Sequence, residues 1–168
     1  MNSGLILGCF CFATATLFAQ SDKESQKRDF DRLLSSVLPF AEQMLTKSGG
    51  FFPYGSTMSS DGNIAAFAGY TGVEQPKAQE IIALLKGTFH RQAKNGAIKA
   101  CALAYDIRTI PPGQTQKTDA IAVNLDHRGG MSIVAIYPYS IENKKVIRGK
   151  SWAVKGEGKI FVADSSSH

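Results

Sequence analysis

The chain is poor in cysteine. Of its three, Cys9 and Cys11 fall in a charge-free opening segment, and beyond residue 20 only Cys101 remains. One thiol closes no internal disulfide, so the fold has to rest on its hydrophobic core. Histidine is equally scarce. His90, His127 and His168 lie at no H-x₃-H spacing, which argues against a metal site, and no cofactor is expected. A Gly-rich phosphate loop is lacking too. Gly129-Gly130 follows a strand pattern but leads into another strand pattern, not into a helix. There is no internal repeat, no low-complexity segment and no apolar run of the roughly 20 residues needed to span a bilayer.

What is present begins with the opening segment. Residues 1–19 carry no charged side chain, and an apolar run extends from Leu5 to Phe18. This pattern is expected to be a secretory signal peptide cut after Ala19, leaving a periplasmic or secreted protein with no stable membrane anchor. The n-region lacks Lys and Arg, and Leu17 is larger than the usual residue at its position. The alternative is an uncleaved N-terminal membrane anchor.

A polar linker is expected over residues 20–27, a single α+β domain over 28–163 and a frayed tail over 164–168. From Arg28 to about Lys47, Phe30, Leu33, Leu34, Val37, Ala41, Met44 and Leu45 recur at helical spacing, with Pro39 expected to kink or divide the helix. Phe51–Ser59 and Ile64–Thr71 alternate around Asp61-Gly62, a hairpin signal. Ala78, Ile81, Ile82, Leu85 and Phe89 form a second helical stripe. Strands are expected over Ala97–Thr109 and about Lys145–Val154, with a short segment at Lys159–Ala163. The fold expected is an antiparallel sheet of about five strands with two main helices, in the order α-β-β-α-β-β-β.

The centre of that sheet is Thr118–Tyr139, two strands joined at His127-Arg128-Gly129-Gly130. With those four residues as the loop, Asp126 faces Met131 and Val123 faces Val134. One face then carries Ile121, Val123, Leu125, Val134 and Ile136 and wants a helix over it. The other carries Ala120, Ala122, Asn124, Asp126, Met131, Ile133, Ala135 and Tyr137.

Several local patterns occur together. They are Phe52-Pro53-Tyr54-Gly55 before Asp61-Gly62; Tyr70-Thr71-Gly72 with Pro76; Lys99-Ala100 before Asp106-Ile107-Arg108; Lys117 to Val123; Asp126-His127-Arg128; Tyr137-Pro138-Tyr139; and Gly156-Glu157-Gly158 before Ile160-Phe161. In this order they resemble a family of small bacterial proteins of unknown function, over most of residues 28–162. The resemblance implies no activity. The family's members often lack a leader, so residues 1–19 are a departure from it. The element order is also similar to that of roadblock/longin and profilin-like folds, a similarity that carries no function.

Candidate chemistry falls into three classes. The polar hairpin tip, Asp126, His127 and Arg128, together with Asp106, combines carboxylates and an imidazole for acid–base work with a cation for an anion, which makes a small enzyme conceivable. Set against it, strand ends are ordinarily polar. Asn124, Tyr137, Arg108 and Tyr54 are candidate binding residues on the sheet, although aromatics on strands ordinarily serve packing. Cys101, on an alternating apolar face with Leu103 and Tyr105, reads as a buried structural thiol and not as a nucleophile paired with His90 or His127. Lys144, Lys145, Arg148, Lys150, Lys155 and Lys159, within a net charge of +5, suit a weak anionic partner, or simply blunt a sheet edge. Only Trp152 and Phe161 lie near them, too few to stack bases, so no specific nucleic acid is expected. The first reading is therefore an exported, non-catalytic domain that binds a protein partner or forms a homodimer. The small enzyme and the anion-binding surface protein are the alternatives.

Overall fold

The computed structural model describes residues 12–69, 72 and 76–162, with side chains described from Gln20 onward. The protein is an α+β domain with two helices and a seven-stranded antiparallel sheet. Its elements are α1 (Phe12–Ser48), β1 (Tyr54–Ser59), β2 (Ile64–Ala68), α2 (Ala78–Lys94), β3 (Ile98–Thr109), β4 (Thr118–His127), β5 (Ser132–Glu142), β6 (Lys145–Arg148) and β7 (Trp152–Lys155). The sheet runs β2-β1-β3-β4-β5-β6, with β7 also paired to β5. Residues 1–11 of the expected leader, Tyr70 and Thr71 of the expected second strand, and residues 163–168 at the C-terminus lie outside the described residues.

The helices cover opposite faces of the sheet. The expected stripe on α1 is the buried one, with Phe30, Leu33, Val37, Ala41 and Leu45 closed off against Tyr54, Met58, Ala100, Ala102, Ala104, Ile121, Val123 and Leu125. Each large side chain removed from water there contributes roughly 1.5–3 kcal/mol. On α2, Ile81, Leu85 and Phe89 pack against Cys101 and Leu103 on the other face, joined by Ile160 from the C-terminal segment. The small residues Ala100, Ala102 and Ala104 let α1 sit close to the centre of the sheet.

Four expectations are corrected. The stretch read as a linker, 20–27, is helical and belongs to α1, because its polar residues extend the buried stripe by one turn: Gln26 and Asp29 are as buried as the core. Pro39 does not divide α1. It lies on the exposed side of a helix that continues through it, with the apolar positions on both sides of it packed.

The third correction concerns the C-terminal strand, which is two strands. β6 pairs with Tyr139–Glu142 and β7 with Ile133–Ile136 of β5, one residue out of register with each other. The break faces Pro138, which has no N–H to donate, and Gly149 N–H bonds the Pro138 carbonyl there at 2.8 Å.

The fourth is the hairpin register. His127 N–H bonds Met131 O at 2.9 Å, Gly130 N–H bonds His127 O at 3.0 Å, and Gly130 adopts φ +93°. A glycine in this left-handed conformation closes a three-residue loop, Arg128-Gly129-Gly130, instead of the expected four. Asp126 therefore pairs with Ser132, and Val123 with Ala135. This one-residue difference exchanges the faces of β5 alone. Met131, Ile133, Ala135 and Tyr137 join Ile121, Val123 and Leu125 under α1, while Val134 and Ile136 join Asn124 and Asp126 on the α2 side.

Candidate functional site

A cluster of polar contacts joins the hairpin tip to α1. Asp29 Oδ2 lies 2.9 Å from Lys99 Nζ and 3.2 Å from His127 Nε2. The Gly129 amide donates to His127 Nδ1 at 2.8 Å. An amide can only donate, so Nδ1 is the acceptor and Nε2 carries the proton that it gives to Asp29. Gln26 Oε1 accepts from Met131 N–H at 3.0 Å, and the Phe30 ring meets the imidazole edge-on at 6.1 Å. Burial alone would raise the Asp29 pKa. The hydrogen bonds and charges of Lys99 and His127 outweigh it and hold the carboxyl below the usual range.

The tip residues diverge because alternate residues of a strand face opposite ways. His127 points to the α1 side with both nitrogens committed, which leaves no lone pair for a substrate proton. Asp126 points to the α2 side. Arg128 donates from Nη2 to the carbonyls of Gly96 (3.0 Å) and Ile98, and its own amide bonds Lys99 O at 2.8 Å. It therefore ties the tip to the start of β3. Asp106 is not near any of them. Cys101 is the β3 residue paired with Asp126, and Asp106 lies five residues along, about 17 Å away, on the α1 side. There it accepts from Tyr139 Oη at 3.1 Å, and burial raises its pKa despite that bond. The convergence an enzyme would need among Asp126, His127, Arg128 and Asp106 is absent from this geometry.

The binding candidates disperse in the same way. Tyr54 is buried beneath α1, and its phenol donates to the Val37 carbonyl. Tyr137 packs against the α1 core. Arg108 forms an exposed pair with Asp119 at 3.8 Å, a contact of small worth in water. Asn124 accepts from Tyr105 Oη at 3.0 Å on the α2 side. Only Asn124 and Asp126 come together. With Lys86, Ser132, Glu157 and Lys159 they line a cavity of about 20 Å³, room for one water molecule. Cys101 is buried alongside, and desolvation pushes its thiol far above the usual range, consistent with an inert core residue. Among the described residues, no group of His, Cys, Asp and Glu is arranged to hold a metal ion.

Asp126 Oδ1 is buried without a hydrogen-bond partner. Burial raises its pKa, against the lowering effects of the Ser132 hydroxyl and the Lys86 charge. A carboxyl whose folded pKa is raised contributes stability below the usual carboxylate range, and that stability is lost as the pH rises through the folded value. Asp126→Asn is therefore expected to be more stable than wild type at neutral pH. The difference should close in acid, read as urea midpoints between about pH 3 and pH 7.

The basic residues occupy the far edge of the sheet. Lys145 and Arg148 are on β6 and Lys155 is on β7, all exposed, with Arg148 paired to Glu42 and Lys159 3.5 Å from Glu157. The opposite edge, β2, is of another kind. From Ile64 to Ala68 it reads Ile-Ala-Ala-Phe-Ala, with no charge, and all but Phe67 are exposed. Among the described residues it pairs only with β1. Ser59 N–H bonds Asn63 O at 3.0 Å, so antiparallel alternation turns the backbone groups of Ala65 and Phe67 inward and those of Ile64, Ala66 and Ala68 outward. Phe40 and Phe52, both exposed, lie near its C-terminal end. Phe40 stacks edge-on against Tyr54 at 4.8 Å, and Tyr54 pairs with Ala68.

Sequence reasoning did not single out Gln26, Asp29 or β2 as sites. The signal for the first two was their spacing: 26, 29, 30, 33 and 37 continue one helical face. For β2 it was the absence of any gatekeeping charge or proline across five residues. Among the described residues, no helix is long and apolar enough to cross a membrane. Compared with known protein families, curated proteins and solved structures, the chain matches none.

Proposed function

We propose that this protein is an exported, non-catalytic binding domain that recruits a protein partner by adding a strand to the outer side of β2. The observation that carries the reading is the edge itself, an uncharged apolar strand whose outward backbone groups at Ile64, Ala66 and Ala68 have no partner among the described residues. Strand addition satisfies such groups and draws its specificity from the alternating side chains. The hairpin tip, with His127 saturated and Arg128 tied to carbonyls, serves as a clamp between α1 and the sheet. Export is supported by the charge-free run before Ala19. Cleavage there would keep Gln26, the first buried residue along the described part of α1, and everything after it.

Proline at an outward position tests the reading without touching the fold. Ala66→Pro removes an amide that bonds nothing among the described residues, and edge strands tolerate such a proline. The variant is expected to melt within about 1 kcal/mol of wild type and to lose the adducts that wild type forms on crosslinking in the producing cells. Unchanged adducts would count against strand addition at β2.

A further inference from the structure

Resting on that reading, we infer that the strand added to β2 is the β2 of a second copy, antiparallel, with the two-fold axis through Ala66. The five residues are self-complementary about that point. Symmetry sets Ala66 against Ala66, Ile64 against the second copy's Ala68, and Ala65 against the second copy's Phe67. Every large side chain thereby meets a small one, on both faces of the joined sheet. The residues that turn their backbone outward, Ile64, Ala66 and Ala68, are those that would exchange bonds, roughly six in all. The second copy's Ile64 would cross over Ala68 and reach the Phe40–Tyr54 pair, giving that exposed aromatic an apolar neighbour.

Charge favours the same occupant. An acidic partner would be drawn to the edge that holds Lys145, Arg148 and Lys155, whereas β2 offers nothing to attract it. The β2 strands of two copies carry no charge to set against each other. The basic edges of the joined copies stand at the two ends of one continuous sheet, about 50 Å apart. That separation is several times the ~8 Å screening length at physiological salt.

The test measures mass and register together. Purified wild-type protein is expected to sediment as a dimer that dissociates on dilution, and Ala66→Pro as a monomer that melts within about 1 kcal/mol of wild type when both are compared at a dilution where the wild type is monomeric. Register is read by oxidising variants that each carry one introduced cysteine, with Cys9 and Cys11 replaced by serine and Cys101 buried, with copper-phenanthroline in air. Ala66→Cys should link to itself. Ile64→Cys alone should not, but should link when mixed with Ala68→Cys. Wild type that stays monomeric up to about 1 mM, or an Ile64→Cys variant that links to itself as readily as Ala66→Cys, would overturn the second copy as partner. If the monomer still forms cellular adducts that Ala66→Pro abolishes, strand addition stands with another partner. A dimer indifferent to Ala66→Pro overturns the second copy at β2, and cellular adducts equally indifferent to it overturn strand addition as well.

Discussion

Replacing Asp29 by alanine is expected to destabilise the protein by about 3 kcal/mol, because it removes the one carboxylate that serves two partly buried partners. Asp29 is 7% exposed and holds Lys99 at 2.9 Å and His127 at 3.2 Å. Without it, the Lys99 ammonium is left partly buried and unpaired, and the His127 Nε2–H loses its acceptor. The loss reaches further than α1. His127 Nδ1 accepts from Gly129, so a rotated imidazole releases the loop that sets the register of β5. Asp29→Asn keeps the shape and an acceptor but leaves the lysine charge unbalanced, so it should fall between alanine and wild type. Urea unfolding at neutral pH measures all three.

The pH dependence has a definite sign. The Asp29 carboxyl is held below its usual range, so its stabilisation is present above that range and disappears as the pH falls through the folded value. The wild type should converge on Asp29→Ala in acid. A gap that persisted to pH 2 would mean that Asp29 contributes by packing alone.

Gly55→Ala is expected to cost about 3 kcal/mol, or roughly 10 °C in melting temperature for a domain of this size. A Cβ at this position would lie 2.3 Å from the Ala102 carbonyl oxygen and 2.9 Å from the Phe89 ring. The first contact is with the backbone of a central strand bonded on both sides, which has nowhere to go. The second is with a ring that is 1% exposed and packs edge-on against Phe67 at 5.6 Å. Gly55 is the hollow in β1 that seats Phe89 and so docks α2 on the sheet. The double variant Gly55→Ala/Phe89→Leu relieves the ring contact but not the carbonyl contact, so rescue should be partial. Full rescue would locate the whole effect at the ring.

Neither residue was marked by the sequence for its role. Gly55 stood within a strand pattern, where a missing side chain reads as weakness, and its purpose depends on a helix that arrives more than twenty residues later. Asp29 stood at the end of a polar, charged stretch, just before the apolar stripe, with nothing to set it apart from its neighbours. The hairpin tip misled for a related reason. An Asp-His-Arg run reads as a cluster along the chain, but strand alternation sends its members to opposite faces and the loop takes the third.

The elements themselves were legible, because they depend on local periodicity. The stripes of α1 and α2, the Asp61-Gly62 turn and the alternation of β3 and β4 are each written within a dozen or so neighbouring residues, and these determined the α+β class. What needed the tertiary structure was everything that depends on how one residue closes a loop or which strand ends at an edge. Gly130 at φ +93° shortened the β4–β5 loop by one residue and reversed the faces of β5. Pro138 split the last strand in two. The sheet order left Ile64–Ala68 outermost and uncharged. Periodicity is a property of a segment, whereas register, edge and burial belong to pairs of segments far apart in the chain. For that reason the sequence alone could describe the strands but could not say which of them would stand at the edge of the sheet.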